Sequence, residues 1–350
     1  MTRVPTFPSC NEVTKSEAFP TAIWRLDPEK EGMLAVAAGR GGPFNLHWEV
    51  HGHGPVKLIL ISGLGVLKSA WQRQTLHFGH IKGDEYSVLL VDNWGMGRSD
   101  KPLLRYSTSA MASDLLEVLD HLSWTGERQV HVCGISMGGM IAQEMAHAAP
   151  DRIASLNLIS TAAFIENTTS FSENMINRVT MLLPKSLDRT ISYTATNLFP
   201  LSWLSSPDDD VDPLPDASTP FCSPPYPTRF SSNYARFAAQ EITKQRDATS
   251  FSRTGFLMQL VAAGWHRKNA DQLKRIGDAV GRERILVLHG EDDRVISVPH
   301  AWKLIRWLGL GPERAIVVPG LGHAPIAQMP QYFNDLLAKS CARGEALNQR

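Results

Sequence analysis

Short apolar runs and helical stripes alternate along most of this chain. Leu34 to Ala38 and Phe44 to Val50 read as two strands, with Gly39-Arg40-Gly41-Gly42 as the turn between them. Lys57 to Ser62 and Ser87 to Val91 are compact apolar runs, which predicts fully buried strands. From Ser107 to Leu122 the period changes. Met111, Leu115, Leu116, Val118, Leu119 and Leu122 fall on one helical face, with Asp114, Glu117 and Asp120 largely on the other. Val130 opens a β-branched run, Met140 to His147 is helix-like, and Ala154 to Ile159 is another strand. Strands and helices in alternation predict parallel strands with crossover helices packed on both faces.

The alternation breaks at about Ala162. Residues 162–278 predict helices, roughly over 171–184, 187–198, 231–246 and 250–266, and no clear strand. Between them Ser205 to Thr228 is rich in proline and carries Asp208-Asp209-Asp210, which reads as a solvated loop. Ile285 to Leu288 resumes the sheet, Ala301 to Leu308 is a helix, Ala315 to Val318 is the last strand, and a final helix runs from about Gln331 to Ala342. The predicted organisation is an N-terminal arm lying on the surface (1–30), an α/β core (31–161 and 279–350) and a helical cap (162–278) inserted after the sixth core strand. Such an insert usually covers the strand ends, where ligand crevices open. Trp203, Phe256, Met258 and Trp265 are its residues apolar enough to line a substrate pocket.

Composition narrows the classes. The chain has 350 residues, 43% hydrophobic and 20% charged, and its 35 Lys+Arg balance 35 Asp+Glu. A neutral total argues against a nucleic-acid partner. No apolar run approaches membrane-spanning length, and the N-terminus lacks the apolar core of a secretory signal. Four scattered cysteines make neither a disulfide framework nor a zinc site, so a reducing, cytoplasmic home is expected. His51-Gly52-His53-Gly54 lacks a further ligand type nearby and reads as a hairpin turn rather than a metal site. Asp92 to Asp100 contains glycines without dinucleotide-binding spacing, and Asp92 is expected to hydrogen-bond its own turn. Neither a metal nor an organic cofactor is expected.

The chemistry is concentrated at strand ends. Gly134-Ile135-Ser136-Met137-Gly138 stands between a strand and a helix, the context of a nucleophile elbow. The turn is sharp enough to strain the serine backbone, and glycines on either side let neighbouring backbone come close. The amide of Met137 then points toward any oxyanion formed beside Ser136. Gly63-Leu64-Gly65 closes an earlier strand, and the Leu64 amide is the candidate second donor. Asp292 and Asp293 follow one later strand and His323 another. All these strands are expected to be parallel, so their loops open at one edge. A hydroxyl attacks only if a base takes its proton, and a carboxylate on the far ring nitrogen fixes a histidine as that base.

Over residues 44–340 the chain resembles an α/β-hydrolase of the capped, esterase-like kind. The resemblance implies a mostly parallel central sheet flanked by helices and a Ser–His–Asp triad in the order serine, acid, histidine. Ser136 matches the nucleophile. Asp293 matches the acid, because Gly290 stands three residues before it, whereas Asp292 is one residue out of register. His323 matches the base in Gly320-x-Gly322-His323, and the Leu64 and Met137 amides match the oxyanion hole. Where many relatives carry His-Gly, this chain has Ser62-Gly63. The elbow is similar to those of enol-lactonases and methyl esterases, which implies hydrolysis of a small, largely apolar ester or lactone. Carbon–carbon bond hydrolases and acyltransferases share the elbow pattern, and a small-molecule receptor that retains the triad is the non-enzymatic alternative.

Overall fold

The computed structural model describes residues 6–166, 186–208 and 213–349. Eight strands form one sheet in the order β1-β2-β4-β3-β5-β6-β7-β8. They are β1 (Lys30–Val36), β2 (Phe44–His51), β3 (Val56–Ile61), β4 (Tyr86–Val91), β5 (Val130–Ile135), β6 (Ile153–Ile159), β7 (Ile285–Gly290) and β8 (Ala315–Val318). β2 runs antiparallel to both β1 and β4. From β4 to β8 every pairing is parallel. Every residue of β4, β5, β6 and β7 is buried, as expected for strands covered on both faces. The register pairs Ile61 with Gly134, Ile135 with Ile159, Ile159 with Leu288 and Gly290 with Val318. The C-terminal ends of β3, β5, β6, β7 and β8 therefore lie level along one edge.

The turn at 52–55 differs from its expectation. It joins β2 to β3, which β4 separates in the sheet, so it is a crossover and not a hairpin. His53 lies between Glu29 (2.7 Å) and Asp84 (3.0 Å), and His51 Nδ1 meets His80 Nε2 at 3.0 Å.

The core helices are α1 (Thr108–His121) and α2 (Met137–Ala148) before the insert, α6 (Ala270–Val280), which begins inside the expected cap span 162–278 but packs in the core, and α7 (Val298–Leu308) and α8 (Pro330–Asn348) after it. Met111, Leu115, Val118 and Leu119 of α1 join Ile141 and Met145 of α2 and Leu273, Ile276 and Val280 of α6 in one apolar layer. Phe333, Leu337 and Cys341 of α8 cover the opposite face with Trp71 and Phe78. Asp114, expected on the outer side of α1, is buried instead. Burial pushes its carboxyl up to about 6 against the opposing pull of Arg40, whose Nη2 lies 2.5 Å away.

Between β6 and β7 lie α3 (Leu187–Leu198), a short turn of helix (Leu201–Ser205), α4 (Asn233–Arg246) and α5 (Arg253–Trp265). Ser186, Ser232 and Ser252 each accept a hydrogen bond from the third residue of the helix they precede, which fixes the three starts. The expected helix over 171–184 lies outside the described residues. Helix α6, absent from the sequence expectation, is opened by a capping box of Asn269 and Gln272. Ile191, Ala195, Phe199, Leu204, Tyr234 and Ile242 form a separate apolar cluster, and Val13, Ala18 and Ala22 complete it from the N-terminal side. Phe7 stacks on Tyr234 at 4.1 Å, Cys10 N–H donates to Asp188 at 2.6 Å, and the Ala22 carbonyl accepts from both Gln72 and Gln240. Asp208 is not solvated as expected: it is buried, with its carboxylate on Arg236 and the Phe230 amide. A buried charge needs a partner, and the guanidinium supplies one. Asp209 and Asp210 lie outside the described residues.

Candidate active site

Ser136 stands between β5 and α2 with φ 56° and ψ −121°. A non-glycine residue holds that conformation only when its surroundings force it. The Ser136 amide donates to Ile159 O at 2.9 Å, and Thr161 Oγ1 donates to Ser136 O at 2.7 Å. Glycine is required on both sides. A Cβ at 134 would sit 2.2 Å from Gly138 O, and one at 138 would sit 2.1 Å from Ile61 O. This closeness brings the end of β3 against the N-terminus of α2.

Two amides are left over at that junction. Met137 is the first residue of α2, where an amide has no intrahelical acceptor. Among the described residues neither Met137 N–H nor Leu64 N–H donates to any group. Gly63 abuts Ser136, since a Cβ there would lie 3.2 Å from Ser136 Cβ. The Ser62 carbonyl is braced by Asn93 Nδ2 at 3.0 Å. Serine in place of histidine at 62 thus leaves the loop tied through its backbone.

The candidate acid and base are joined. His323 Nδ1 donates to Asp293 Oδ2 at 2.7 Å, and Asp293 Oδ1 accepts the amides of Val295 and Ile296, both at 2.8 Å. His289, buried on β7, places Nε2 3.2 Å from Asp293 Oδ2 and 2.7 Å from Ile296 O. A carbonyl can only accept, so His289 carries its proton on Nε2. Burial alone would raise the Asp293 carboxyl, but the His323 and His289 rings outweigh it and hold it well below the usual carboxylate range. Asp292 is exposed and takes no part. The His323 amide donates to Leu198 O of α3 at 2.7 Å, and Gln328 braces the same loop through Gly322 N–H (2.8 Å) and Gly320 O (2.7 Å).

The structure thus couples Asp293 to His323 and sets Ser136 beside the Leu64 loop. Among the described residues the half-buried Ser136 hydroxyl makes no hydrogen bond. Catalytic hydrogen bonds commonly tighten only once substrate is bound. Asp92 is a strut, accepting from Lys68 Nζ (2.7 Å), Lys68 N–H (3.1 Å) and Arg98 N–H (3.2 Å). Glu31, His47 and Glu49 come close enough to share a cation, but Arg98 lies on Glu31 at 2.8 Å and Lys68 on Glu49 at 3.3 Å.

The four expected pocket residues are dispersed. Phe256 packs on Gly65, where a Cβ would lie 2.6 Å from its ring. Met258 and Leu64 pack on the same core cluster. Trp203 stacks on Phe199 at 4.4 Å within the insert. Trp265 is 64% exposed, with the Arg105 guanidinium 3.7 Å over its ring. It lines an open cavity of about 250 Å³ with Phe164, Ile165 and His266, and no triad candidate lines that cavity. Sequence reasoning did not find Thr161, Asn93, His289, Gln328 or Gln259, whose Oε1 accepts the Gly65 amide at 2.8 Å, as supports of the site. Only His289, a polar residue in a buried strand four positions before the acid, left a visible signal.

Comparison with known proteins bears on the family and the fold. The model of the alpha/beta hydrolase family matches residues 58–336. The chain is 29% identical over 157 residues to 3-oxoadipate enol-lactonase 2 of Acinetobacter baylyi, covering 45% of this chain and 55% of that protein. It is 34% identical over 120 residues to a protein named as a candidate carbamate hydrolase, RutD, of Azorhizobium caulinodans, covering 34% and 42%. The chain spans about half the length of these curated relatives. A thermophilic esterase from Thermogutta terrifontis, solved with malate bound, superposes with a TM-score of 0.64 at 19% identity, over 90% of this chain and 99% of that one. At that identity the likeness is one of fold. No described helix is long and apolar enough to cross a membrane.

Proposed function

The chain belongs to the alpha/beta hydrolase family, and from that premise we propose that it cleaves a small carboxylic ester or lactone through Ser136, His323 and Asp293. The observation that carries this reading is the Ser136 elbow: a strained serine at a helix start, beside two uncommitted amides. His323 takes the hydroxyl proton as Ser136 Oγ bonds to the carbonyl carbon. The carbonyl electron pair moves onto oxygen, where the Leu64 and Met137 amides stabilise it. Collapse expels the alcohol, protonated by His323. Water, deprotonated by the same ring, then attacks the acyl-enzyme and releases the acid and Ser136.

The names of the curated relatives favour a lactone or carbamate-like carbonyl. The described helices α3 to α5 of the 162–278 insert form the cap in this reading, over a core of 31–161 and 279–350 that α6 joins through Leu273, Ile276 and Val280, with 1–30 as an arm. Leu198 O on the His323 loop and Phe256 on Gly65 are among the contacts by which the insert reaches the site. We place the enzyme in the cytoplasm, where its four unbonded cysteines would stay reduced.

The test is labelling by a fluorophosphonate probe together with turnover of p-nitrophenyl acetate and a panel of lactones. Ser136→Ala is expected to lose labelling and to reduce turnover by roughly 10⁴ to 10⁶-fold. A variant that turns over as fast as the parent defeats the proposal. Product analysis separates the chemistries: alcohol for an ester, a hydroxy or keto acid for a lactone, an amine for a carbamate, a ketone fragment for a carbon–carbon bond.

A further inference from the structure

We propose that Gln259, on helix α5 of the insert, is a positioning residue that sets the oxyanion-binding turn; this rests on the assignment of Leu64 N–H to the hole. Gly63 to Val66 is a turn closed by Val66 N–H on Gly63 O at 3.4 Å, with Gly65 third at φ 67°. Positive φ at that place marks a type II turn, and glycine there can also serve the type I form. The two forms differ by a flip of the central peptide, Leu64–Gly65. The flip exchanges the places of Gly65 N–H and Leu64 C=O, and so reverses a dipole next to the hole.

Gln259 blocks that exchange. Its side chain is fully buried, 194 residues further along the chain from Gly65. Oε1 accepts Gly65 N–H at 2.8 Å, and Nε2 donates to Trp94 O at 2.7 Å. One amide group thus satisfies one donor and one acceptor on two different core loops. With the peptide flipped, Gln259 Oε1 would face the Leu64 carbonyl, oxygen against oxygen, in a site without water access. Lys244 Nζ holds the next carbonyl, Gly65 O, at 3.3 Å, and the Phe256 ring packs against Gly65. Helix α5 is itself pinned, since a Cβ at Gly95 would lie 2.6 Å from Gly255 Cα and Gly97 N–H donates to Ser250 O at 2.7 Å. Gln259 also removes Gly65 N–H from competition, leaving Leu64 N–H as the free donor beside Ser136. The insert therefore orders the catalytic turn as well as overlying the core.

The experiment compares parent, Gln259→Met and Gln259→Glu. It uses p-nitrophenyl acetate and a phenethyl trifluoromethyl ketone, and counts active sites by exhaustive fluorophosphonate labelling. Addition of Ser136 Oγ to the ketone carbon, with the hydroxyl proton passing to His323, leaves an oxyanion in the hole. Q259M, of similar volume, is expected to lower kcat/KM and ketone affinity together by about 10 to 100-fold per labelled site. A merely structural role would lower the number of labelled sites and leave both constants per site unchanged. Q259E is expected to recover parent-like ketone affinity at pH 5.5, where burial, which disfavours the charged form, keeps the carboxyl protonated and able to supply both bonds. It should lose that affinity relative to the parent as pH rises to 8.5. If Q259M does not fold, this pH-dependent divergence decides the matter. Q259M within twofold of an active parent, or Q259E tracking the parent at every pH, overturns the inference alone. A parent inert to both probes overturns the hydrolase reading and this inference with it.

Discussion

Replacing Asp293 by asparagine tests the proton path most sharply, because every contact of that carboxylate is known. Oδ1 takes two backbone amides at 2.8 Å, from Val295 and Ile296. In the variant the side-chain oxygen must stay there, since an NH₂ group would face two donors. The NH₂ group then occupies the Oδ2 position, 2.7 Å from His323 Nδ1 and 3.2 Å from His289 Nε2. His289 cannot yield, because its Nε2–H is committed to Ile296 O at 2.7 Å. His323 must therefore present a lone pair at Nδ1 and carry its hydrogen on Nε2, the atom that should receive the serine proton. A wrong tautomer of this kind costs about 10⁴ in kcat, or about 5.4 kcal/mol of barrier at 1.36 kcal/mol per tenfold. The assay is p-nitrophenyl acetate turnover per folded molecule, with the melting temperature as control. A D293N enzyme that melts like the parent yet keeps more than a tenth of its rate would refute the assignment of Asp293 as the acid.

Two further outcomes follow from packing and charge. Gly138→Ala places a methyl 2.1 Å from Ile61 O and 2.8 Å from Ser62 O, both backbone. It should destabilise the chain by about 1–3 kcal/mol and abolish fluorophosphonate labelling; an unchanged denaturant midpoint would count against the elbow geometry. On β5, five residues before Ser136, buried His131 touches Ser155 (2.9 Å) and Glu345 (3.0 Å). Burial opposes its charge, but Cys341 and Glu345 beside the ring prevail and push its pKa up to about 9. A raised histidine stabilises the fold fully below its unfolded value of about 6.5 and ceases to do so as pH climbs through the folded value. The melting temperature should thus fall between pH 6.5 and 9.5, and Glu345→Gln should flatten that slope. Parallel curves for variant and parent would remove His131 as the cause.

Much of this molecule is readable before folding because local pattern and global architecture agree. The runs at 58–61, 130–135, 153–159 and 285–290 are buried strand, and their order, with the half-buried β8, delivers Ser136, Asp293 and His323 to one edge. What was illegible depends on partners distant in sequence. Nothing about Asp114 or Asp208 announces burial until Arg40 and Arg236 arrive beside them. Trp265 is as apolar as Phe256, but only Phe256 meets the Leu64–Gly65 turn, and helix periodicity does not separate them. Gln259 resembles any polar helix residue until Gly65 and Trp94 appear on either side of it. Helix α6 did carry a local cue in Asn269 and Gln272, obscured by the charged stretch that follows.

The Ala22 carbonyl has a consequence for handling this protein. It is shared by Gln72 of the core and Gln240 of the insert, while Phe7 lies flat on Tyr234. The leading segment is therefore a stitch through both parts. Shifting the helical insert as a rigid unit would strain the stitch or pull it out. An affinity tag or fusion partner joined ahead of Phe7 would bear on the insert directly, so the choice of expression end becomes an experimental variable for any measurement of access to the crevice.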